Sequence, residues 1–433
     1  MSSNSTPTLK ISDFAKVKGG KRMPAGTALT QQKSKHPYLR IVDFKDGSID
    51  KSNLQYVPDE VFPQISRYVI SSHDLYISIV GTIGLVGAVP KELSGANLTE
   101  NAAKICEIDE GRVDGRYLGY FLRSDIGQAA INALTVGSTQ PKLALFRIDQ
   151  IEVPCPPIKE QQNIAALLSA LDDRIALLRE TNATLEAIAQ AMFKSWFVDF
   201  DPVRAMMEGR VPEGLDEATA ALFPDGFDES ELGLVPRGWQ IDSAYTVTQI
   251  IYGAPFASKK FNTENLGKPL IRIRDLRDEL PGVFTPEEHP KGYLVQPGDI
   301  VVGMDGEFRA YLWGGEEAWL NQRVCVFAPK PGFPAAYVHR SIMPLLAAVE
   351  ASETATTVIH LGKNDIDRFR VLVTDKRVLA AFGLVADDLY RRIVAAKQSA
   401  RTLATLRDTL LPRLISGQLR LPEAEALLEE ACA

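Results

Sequence analysis

The side chains that most often carry out catalysis are scattered along this 433-residue sequence. The five histidines are isolated from one another, so the sequence indicates neither HExxH zinc chemistry nor a nucleophile paired with histidine. A GxxxxGKS/T phosphate loop is absent, and residues 81–87 (GTIGLVG) lack the GxG turn of a dinucleotide site. We therefore expect this chain to contain no catalytic residue, no metal site and no cofactor.

Basic and polar side chains do gather at several turns that contain glycine or proline. Lysine and arginine can neutralise phosphates, while Arg, Gln, Ser, Thr and His can hydrogen-bond to base edges. The candidate DNA-binding residues are Lys18, Lys21, Arg22, Arg40, Ser138, Thr139, Gln140, Lys142, Lys259, Lys260, Arg272, Arg274, Thr357, His360 and Lys363. A solvated loop surface is the simpler interpretation of any one of them. Their recurrence at corresponding points of a repeat favours a shared role.

That repeat spans the whole chain. Residues 37–46 (PYLRIVDFKD) align with residues 269–278 (PLIRIRDLRD) at an offset of 232, and Asn101 aligns with Asn321 at 220. From residue 148 onward the offset stays at 218. Matches that keep their order and drift in one direction indicate a tandem duplication of one unit, made of a globular part followed by a helix.

Composition places the chain among ordinary globular proteins. Apolar residues make up 45% and charged residues 24%, which excludes a mostly disordered chain. The net charge of −7 arises within residues 199–235, which carry −8 while the remainder carries +1, so an anionic partner is not excluded. Four distant cysteines, no long apolar run and no secretion signal lead us to expect a cytoplasmic protein without a membrane segment.

Two helical stretches carry apolar residues at alternating spacings of four and three, which is typical of a coiled-coil seam. Two equal seams in one chain favour packing against each other. Two unrelated amphipathic helices are the alternative. The residues expected at this seam, or at a partner-docking surface along it, are Leu171, Ile175, Leu178, Leu185, Met192, Trp196, Leu389, Ile393, Leu403 and Leu410.

The sequence thus predicts an α+β protein with two tandem-duplicated mixed α/β domains separated by a long coiled-coil helix pair with pseudo-two-fold symmetry. The predicted segments are a first domain (1–157), a central helix (158–198), an acidic linker (199–235), a second domain (236–374), a C-terminal helix (375–416) and a tail (417–433).

Four segments resemble a known family in order along the chain. Residues 185–202 (LEAIAQAMFKSWFVDFDP) and 403–417 (LATLRDTLLPRLISG) resemble the central and C-terminal signatures of the specificity subunit of type I restriction–modification enzymes. Residues 232–239 (LGLVPRGW) are similar to the entry of its second recognition domain, and residues 156–162 to the exit of its first.

The resemblance implies two target recognition domains, each of which reads one half of a bipartite DNA site, and an antiparallel helix pair that docks two methyltransferase subunits. It also implies endonuclease/translocase subunits, with S-adenosylmethionine, ATP and Mg²⁺ on the partner subunits. Gln140 and Lys142 are aligned with residues of other types in the second copy of the repeat, so we expect the two halves of the DNA target to differ. The alternative function is a protein-interaction scaffold with a helical clamp and no DNA readout.

A paired helix of fixed length predicts a fixed spacer between the two half-sequences. Inserting four residues after Thr184 and four after Thr402 lengthens each helix by ~6 Å, which is roughly two base pairs at about 3.4 Å each. We expect sequencing of methylated sites to show a longer spacer and unchanged half-sequences. Unchanged spacing in a folded, active double-insertion variant would show that the helices do not set the distance.

Overall fold

The computed structural model describes residues 6–45, 47–137, 141–230, 233–352 and 359–432, with the backbone alone for residues 429–432. The chain divides into two compact units. Unit 1 comprises Met1–Arg174 and Leu403–Ala433, and unit 2 comprises Ile175–Thr402. In the described ranges, no helix is long and apolar enough to span a membrane.

The strands are short, and most have two to five residues. Those of unit 1 are β1 (Thr8–Lys10), β2 (Lys16–Gly19), β3 (Pro37–Leu39), β4 (Phe44–Lys45), β5 (Ser48–Ile49), β6 (Gln55–Tyr56), β7 (Val69–Ile70), β8 (Leu75–Ser78), β9 (Val86–Ala88), β10 (Ala96–Leu98), β11 (Ala102–Cys106) and β12 (Glu152–Pro154). Those of unit 2 are β13 (Phe227–Ser230), β14 (Gly233–Pro236), β15 (Gln240–Ser243), β16 (Thr248–Tyr252), β17 (Lys268–Ile271), β18 (Phe284–Thr285), β19 (Leu294–Val295), β20 (Ile300–Gly303), β21 (Ala310–Leu312), β22 (Ala318–Leu320), β23 (Val324–Pro329) and β24 (Arg370–Val373).

Both units build the same sheets in the same strand order. The order β2-β11-β8-β9 recurs as β16-β23-β20-β21, and the order β6-β3-β10-β7 recurs as β18-β17-β22-β19. The pair β1-β12 recurs as β15-β24. Even the parallel pair within an otherwise antiparallel sheet is repeated, as β3 with β10 and β17 with β22. The predicted duplication and the α+β class are confirmed.

Helices flank these sheets, and two of them are far longer than the rest. They are α1 (Phe62–Ile65), α2 (Gly115–Arg123), α3 (Asp125–Leu134), α4 (Leu145–Ile148), α5 (Ile158–Phe197), α6 (Asp201–Met207), α7 (Glu217–Ala220), α8 (Ala244–Val247), α9 (Ala335–Ser352), α10 (Lys363–Ile366), α11 (Lys376–Ile415) and α12 (Leu421–Cys432). Each of α5 and α11 has 40 residues. Short 3-10 turns lie at Ile11–Asp13, Ile41–Asp43, Lys91–Leu93, Ser258–Lys260 and Ile273–Asp275.

The two long helices pack against each other in antiparallel fashion inside unit 2. The Asn182 amide donates to the carbonyl oxygen of Ile393 over 3.3 Å, while the Phe197 ring lies 5.0 Å from the Phe382 ring. Residue numbers thus rise along α5 as they fall along α11. The predicted seam residues of this unit are inward-facing. Ile175, Trp196 and Ile393 are buried, and Leu178, Leu185, Met192 and Leu389 are half-buried.

In unit 1 the same two helices meet through a charged network. The Asp172 carboxylate accepts a hydrogen bond from the Tyr120 hydroxyl at 2.7 Å and lies 2.5 Å from Nη1 of Arg407. Arg123 is a further partner at 3.4 Å. Leu171, Leu403 and Leu410 are buried beside this network. Asp172 lies inside α5 and joins α2 to α11.

Gly383 does not weaken the start of α11, as its helix propensity alone would suggest. A Cβ atom at this position would lie 2.8 Å from Cγ of Pro334, so glycine lets the turn before α9 pack directly on α11. Asp387, one turn later, accepts a hydrogen bond from the backbone N–H of Ala336 at 3.0 Å. Glycine in a helix interior costs about 1 kcal/mol relative to alanine, and at this position it avoids a steric clash with Pro334.

Local sequence determines two further details of the fold. The stretch from Arg116 to Leu134 forms two helices, because Ser124 is extended and its side chain caps α3 by accepting from the Gly127 N–H. The acidic segment 199–235 contains α6, α7 and the hairpin β13-β14, and its Val203 and Phe223 are part of the unit 2 core. Residues 421–432 of the tail are helical.

His339 is buried in unit 2 in its neutral form. Its Nε2 lies 3.0 Å from the Ala310 carbonyl oxygen, and its Nδ1 lies 2.8 Å from the Tyr390 hydroxyl. Because a carbonyl only accepts, Nε2 must carry the hydrogen and Nδ1 must accept from tyrosine. Burial lowers the pKa of His339 to about 4.

This histidine predicts a loss of stability in acid. The ordinary pKa of about 6.5 applies in the unfolded chain, which therefore takes up the proton first as pH falls. Its contribution is complete above about pH 7 and is lost between about pH 6.5 and pH 4, by about 3 kcal/mol at most.

All four tryptophans lie in unit 2, so the urea midpoint followed by tryptophan fluorescence should fall steeply over that range. His339→Gln should flatten the decline, and His73→Gln, at an exposed position, should not. Equal slopes for all three proteins would contradict the assignment.

Candidate nucleic-acid interface

In each unit, the chain passes from one four-stranded sheet to the other through a point of very close backbone contact. After β2, the N–H of Gly20 donates to the Ala102 carbonyl at 3.0 Å, and the N–H of Lys21 donates to that of Leu98 at 2.8 Å. In unit 2, Gly253 donates to Val324 at 3.0 Å and Ala254 to Leu320 at 3.1 Å. The accepting residues lie between β10 and β11 in unit 1 and between β22 and β23 in unit 2, or at the ends of these strands. Equivalent acceptors in the two units therefore differ by 222 in residue number.

Two more segments join this point in both units. The Ile79 N–H donates to the Asn101 carbonyl at 2.8 Å, and Leu143 donates to Ile79 at 3.0 Å. In unit 2, Met304 donates to Arg323 at 2.9 Å and Leu361 to Met304 at 2.8 Å. We call the arrangement the crossing. It comprises residues 20–22, 79–81, 98–102 and 142–143 in unit 1 and residues 253–255, 304–306, 320–324 and 360–361 in unit 2.

The crossing corrects one detail of the sequence alignment. Asn101 is the equivalent of Arg323. The carbonyl oxygen of Asn101 accepts from the N–H of Ile79, and that of Arg323 accepts in the same way from Met304. The alignment of Asn101 with Asn321 is therefore wrong by two residues. Arg323, which sequence reasoning missed, has a positive φ of 70° at this position.

Three of the predicted DNA-binding residues lie at the crossing of unit 1. Lys21 is exposed, and its Nζ lies 5.7 Å from the Tyr68 ring centroid. Arg22 has a 79% exposed side chain that pairs with Glu100 at 2.7 Å, which raises the pKa of the arginine. Lys142 is exposed and bridges to Val80 through the backbone. Ion pairs this exposed contribute little to stability, so these cations can exchange partners at small cost.

The crossing of unit 2 carries a different set of side chains. Nδ1 of His360 lies 2.7 Å from the Asp305 carboxylate, and Arg323 lies 3.5 Å from the same oxygen. His360 is the equivalent of Lys142, because it forms the corresponding bridge, to Asp305. The same backbone frame therefore presents several cations in unit 1 and an Asp–Arg–His cluster in unit 2.

The remaining predicted residues lie outside the crossing or are engaged elsewhere. Lys18, on β2, shares Glu107 with Lys16, and the two lysines lower the pKa of that carboxyl to about 2. Lys259 and Lys260 lie in the turn Ser258–Lys260, outside the crossing. The residue of unit 2 that is equivalent to Lys21 is the buried Ala254. Lys363 pairs with Asp367 at 2.9 Å on α10. Ser138, Thr139, Gln140 and Thr357 lie outside the described residues.

Arg40 and Arg272 are engaged in ion pairs within the fold. Nε and Nη2 of Arg40 donate to the Asp43 carboxylate at 3.0 and 2.8 Å, and Nη1 donates to Gln55 at 2.6 Å. Arg272 binds Asp275 in the same manner at 2.9 and 3.0 Å. Both side chains are only 26% exposed. Their donors are largely used within the fold, so we do not include these two arginines in the proposed DNA-binding surface.

Among the described residues, no group of three or more His, Cys, Asp or Glu side chains could hold a metal ion. The three cysteines whose side chains are described, Cys106, Cys155 and Cys325, are buried and free, and burial raises the pKa of each thiol. Buried thiols with a raised pKa are poor nucleophiles. The exposed polar surface at the crossings suits hydrogen bonding and charge pairing more than covalent chemistry.

The crossing predicts a sharp difference between two adjacent glycines. A Cβ at position 20 would lie 2.1 Å from the Thr99 carbonyl oxygen, whereas a Cβ at position 19 would lie 3.5 Å from Leu145. Gly20→Ala should therefore destabilise unit 1 by about 3 kcal/mol or more, and Gly19→Ala should change stability by less than about 1 kcal/mol.

Circular dichroism at 222 nm follows the whole chain, and tryptophan fluorescence follows unit 2 alone. For Gly20→Ala, we expect an early transition by the first method and an unchanged transition by the second. Gly253→Ala, which would bring a Cβ 1.9 Å from the Asn321 oxygen, should shift the fluorescence transition instead. Indistinguishable effects of Gly19→Ala and Gly20→Ala would rule out the crossing as described.

Comparisons with known proteins point to one family. Residues 6–187 match the model of the type I restriction modification DNA specificity domain. The type I restriction enzyme MjaIX specificity subunit of Methanocaldococcus jannaschii is 24% identical over 437 residues, covering 96% of this chain and 93% of that protein. The EcoBI specificity subunit of Escherichia coli is 31% identical over 189 residues, or 42% of this chain and 39% of the relative.

A solved structure shares the fold. The S subunit of a type I restriction-modification system from M. genitalium aligns with a TM-score of 0.56 and 16% identity, covering 96% of this chain and 97% of the other. The duplicated sheets, the paired long helices and the sequence relatives agree with one another. Over nearly its whole length the chain is similar to a specificity subunit of type I restriction–modification enzymes, and residues 6–187 match the DNA specificity domain of that family.

Proposed function

We propose that this chain is the DNA-recognition subunit of a type I restriction–modification complex and that each unit reads one part of a bipartite target. The observation that carries the proposal is the crossing, built twice on one backbone frame with different exposed side chains. A shared frame with different side chains suits the reading of two sequences by the same geometry. The match of residues 6–187 to a DNA specificity domain supports the same function.

The two half-sequences should differ. Lys21 and Lys142 in unit 1 are replaced by Ala254 and His360 in unit 2. Lysine acts as a flexible point charge, whereas imidazole presents a flat ring with one donor and one acceptor when neutral. Surfaces with such different hydrogen-bonding groups recognise different base edges. The proposal therefore includes an asymmetric target.

Catalysis is proposed to lie in partner subunits, namely two methyltransferase subunits and the endonuclease/translocase subunits. S-adenosylmethionine, ATP and Mg²⁺ would bind there, and DNA in the cytoplasm would be the substrate. The buried seam residues are occupied in helix packing, so docking would use the exposed apolar residues of the long helices. Within unit 2 these are Leu177, Ile188, Leu384 and Val385, whose exposed fractions are 52%, 48%, 80% and 49%.

The alternative of a protein-interaction scaffold is not favoured. A scaffold function would not explain why cations are exposed at the crossing. Binding of a protein or glycan partner would also depend less on salt concentration than binding of DNA. DNA binding releases counterions, so its affinity falls steeply with salt concentration. The similarity of the chain to type I specificity subunits also supports DNA recognition over the scaffold.

Sequencing the methylated bases of the host genome, with and without this gene, tests the proposal. We expect deletion to remove methylation at one motif that has two unlike halves and a fixed spacer, and expression of the intact gene to restore it. Expression of Gly253→Ala, which disrupts the crossing of unit 2, should not restore the motif. An unchanged methylation pattern in a host with active partner genes would refute the function, and a palindromic motif would refute the asymmetry.

A further inference from the structure

Both units contain the same rigid turn directly after the first strand of one sheet. In unit 1 the turn Ile41–Asp43 follows Arg40, whose backbone N–H donates to the Asp43 carboxylate at 2.8 Å. In unit 2 the turn Ile273–Asp275 follows Arg272, whose N–H donates to Asp275 at 3.0 Å. In each unit, the guanidinium of the arginine also donates hydrogen bonds to the carboxylate that its backbone N–H contacts. Asp43 and Asp275 are 3% and 6% exposed, so each turn is closed by a nearly buried ion pair.

The turn is anchored on both sides of its tip. In unit 1, Ile41 packs on the core, and the Phe44 ring stacks on Tyr76 with centroids 4.0 Å apart. In unit 2, Ile273 is half-buried and Leu276 is 2% exposed. These anchors hold the residues before and after the tip.

A single side chain of each turn is left facing outward. It is Val42 in unit 1, with 77% of its surface exposed, and Arg274 in unit 2, which is also exposed. The two positions are equivalent, since each lies two residues after the clamping arginine and one before the clamped aspartate. An identical scaffold thus displays an aliphatic side chain in one unit and a guanidinium in the other.

The turn adjoins the crossing in both units. The carbonyl of Leu39, one residue before Arg40, accepts from the Thr99 N–H at 3.1 Å. The carbonyl of Ile271, one residue before Arg272, accepts from Asn321 at 3.3 Å. Thr99 and Asn321 both belong to their crossings, so each tip lies three residues along the chain from a residue that is hydrogen-bonded to its crossing.

We propose that this clamped turn is a base-reading element and that Val42 and Arg274 are specificity-determining residues for the two half-sequences. The inference rests on the proposed function. Arginine pairs well with the O6 and N7 acceptors of guanine in the major groove, and an aliphatic side chain suits the methyl group of thymine. Arg274 therefore selects guanine at one position of one half, and Val42 selects thymine at one position of the other.

The ion pair between arginine and aspartate that closes each turn, which we call the clamp, explains why a single exposed residue can read a base. A tip held by a buried ion pair and two apolar anchors loses little conformational entropy when it binds. Arg40 and Arg272 are positioning residues in this arrangement, which is why the structure uses their donors internally. Exchange of the tip residue alone changes the base preference without rebuilding the turn.

The test uses the full chain, purified by a tag from its host together with the subunits that accompany it. Affinities are measured for the methylated motif of the wild type and for every single-base variant of it. Arg274→Ala should reduce discrimination at one guanine of one half by roughly five- to hundredfold and leave the other half unchanged. Val42→Ala should reduce discrimination at one thymine of the other half.

Arg277→Ala is the matched control, because Arg277 is an exposed arginine three residues along the same segment. It should leave discrimination at every base unchanged. A uniform loss of affinity in Arg274→Ala, with a salt slope lower by about 1, would identify a phosphate contact and overturn the proposal. Unaltered base preference in both tip variants would overturn it too.

Failure of the proposed function would look different, since the wild type itself would then show no sequence preference. Both tips are exposed, so the substitutions leave the packing of the fold intact and each outcome can be interpreted.

Discussion

The fold depends on one steric constraint, the absence of any side chain at Gly20 and at Gly253. At these positions the chain lies against the backbone of the link between two strands, and a carbonyl oxygen occupies the place of a Cβ. This contact lets each unit connect two four-stranded sheets through adjacent links while pairing the backbone groups at the junction. The loops that carry exposed polar residues meet because the chain passes so closely here.

The two units attach their globular parts to the long helices through different residues. Unit 1 uses a charged network around Asp172, in which Tyr120 and Arg407 take part. Burial lowers the pKa of Arg407, but its contacts with carboxylates, Asp172 foremost, outweigh burial and raise the pKa above its ordinary value. Unit 2 uses a neutral chain from the Ala310 carbonyl through His339 to Tyr390, together with an ion pair between Glu279 and Lys397 of α11 at 2.6 Å. The duplicated architecture is preserved although the side chains at its helix contacts are not.

Sequence patterns predicted the features that repeat or follow a period. The duplication and the helix seam depend on the spacing of many residues, and single departures such as Gly383 do not hide them. The roles of individual polar residues were less predictable. Arg40 looks like a free cation in sequence, because nothing in the pattern shows that Asp43 would take its donors.

The exposed tip residues could not have been found by pattern alone. Val42 stands between Ile41 and Asp43 in a stretch that looks like a buried strand, and its 77% exposure follows from the 3-10 turn that the clamp stabilises. Arg323 was missed because its role depends on a backbone carbonyl and a local conformation, neither of which depends on residue type. The crossing joins segments from four places in each half of the chain, so no local window contains it.

The division of the chain has a consequence for its synthesis on the ribosome. Unit 1 needs residues 403–433, although its other residues end at 174. The contact between Asp172 and Arg407 cannot form until Arg407, 235 residues later, has been synthesised. At about 5–20 residues per second, synthesis of the intervening chain takes roughly 10–50 s. During that interval Leu168 and Leu171, which are buried in the folded protein, have been synthesised before the C-terminal part of unit 1. Unit 2, a single continuous segment, can complete its core first, so the half of the protein made first is finished last.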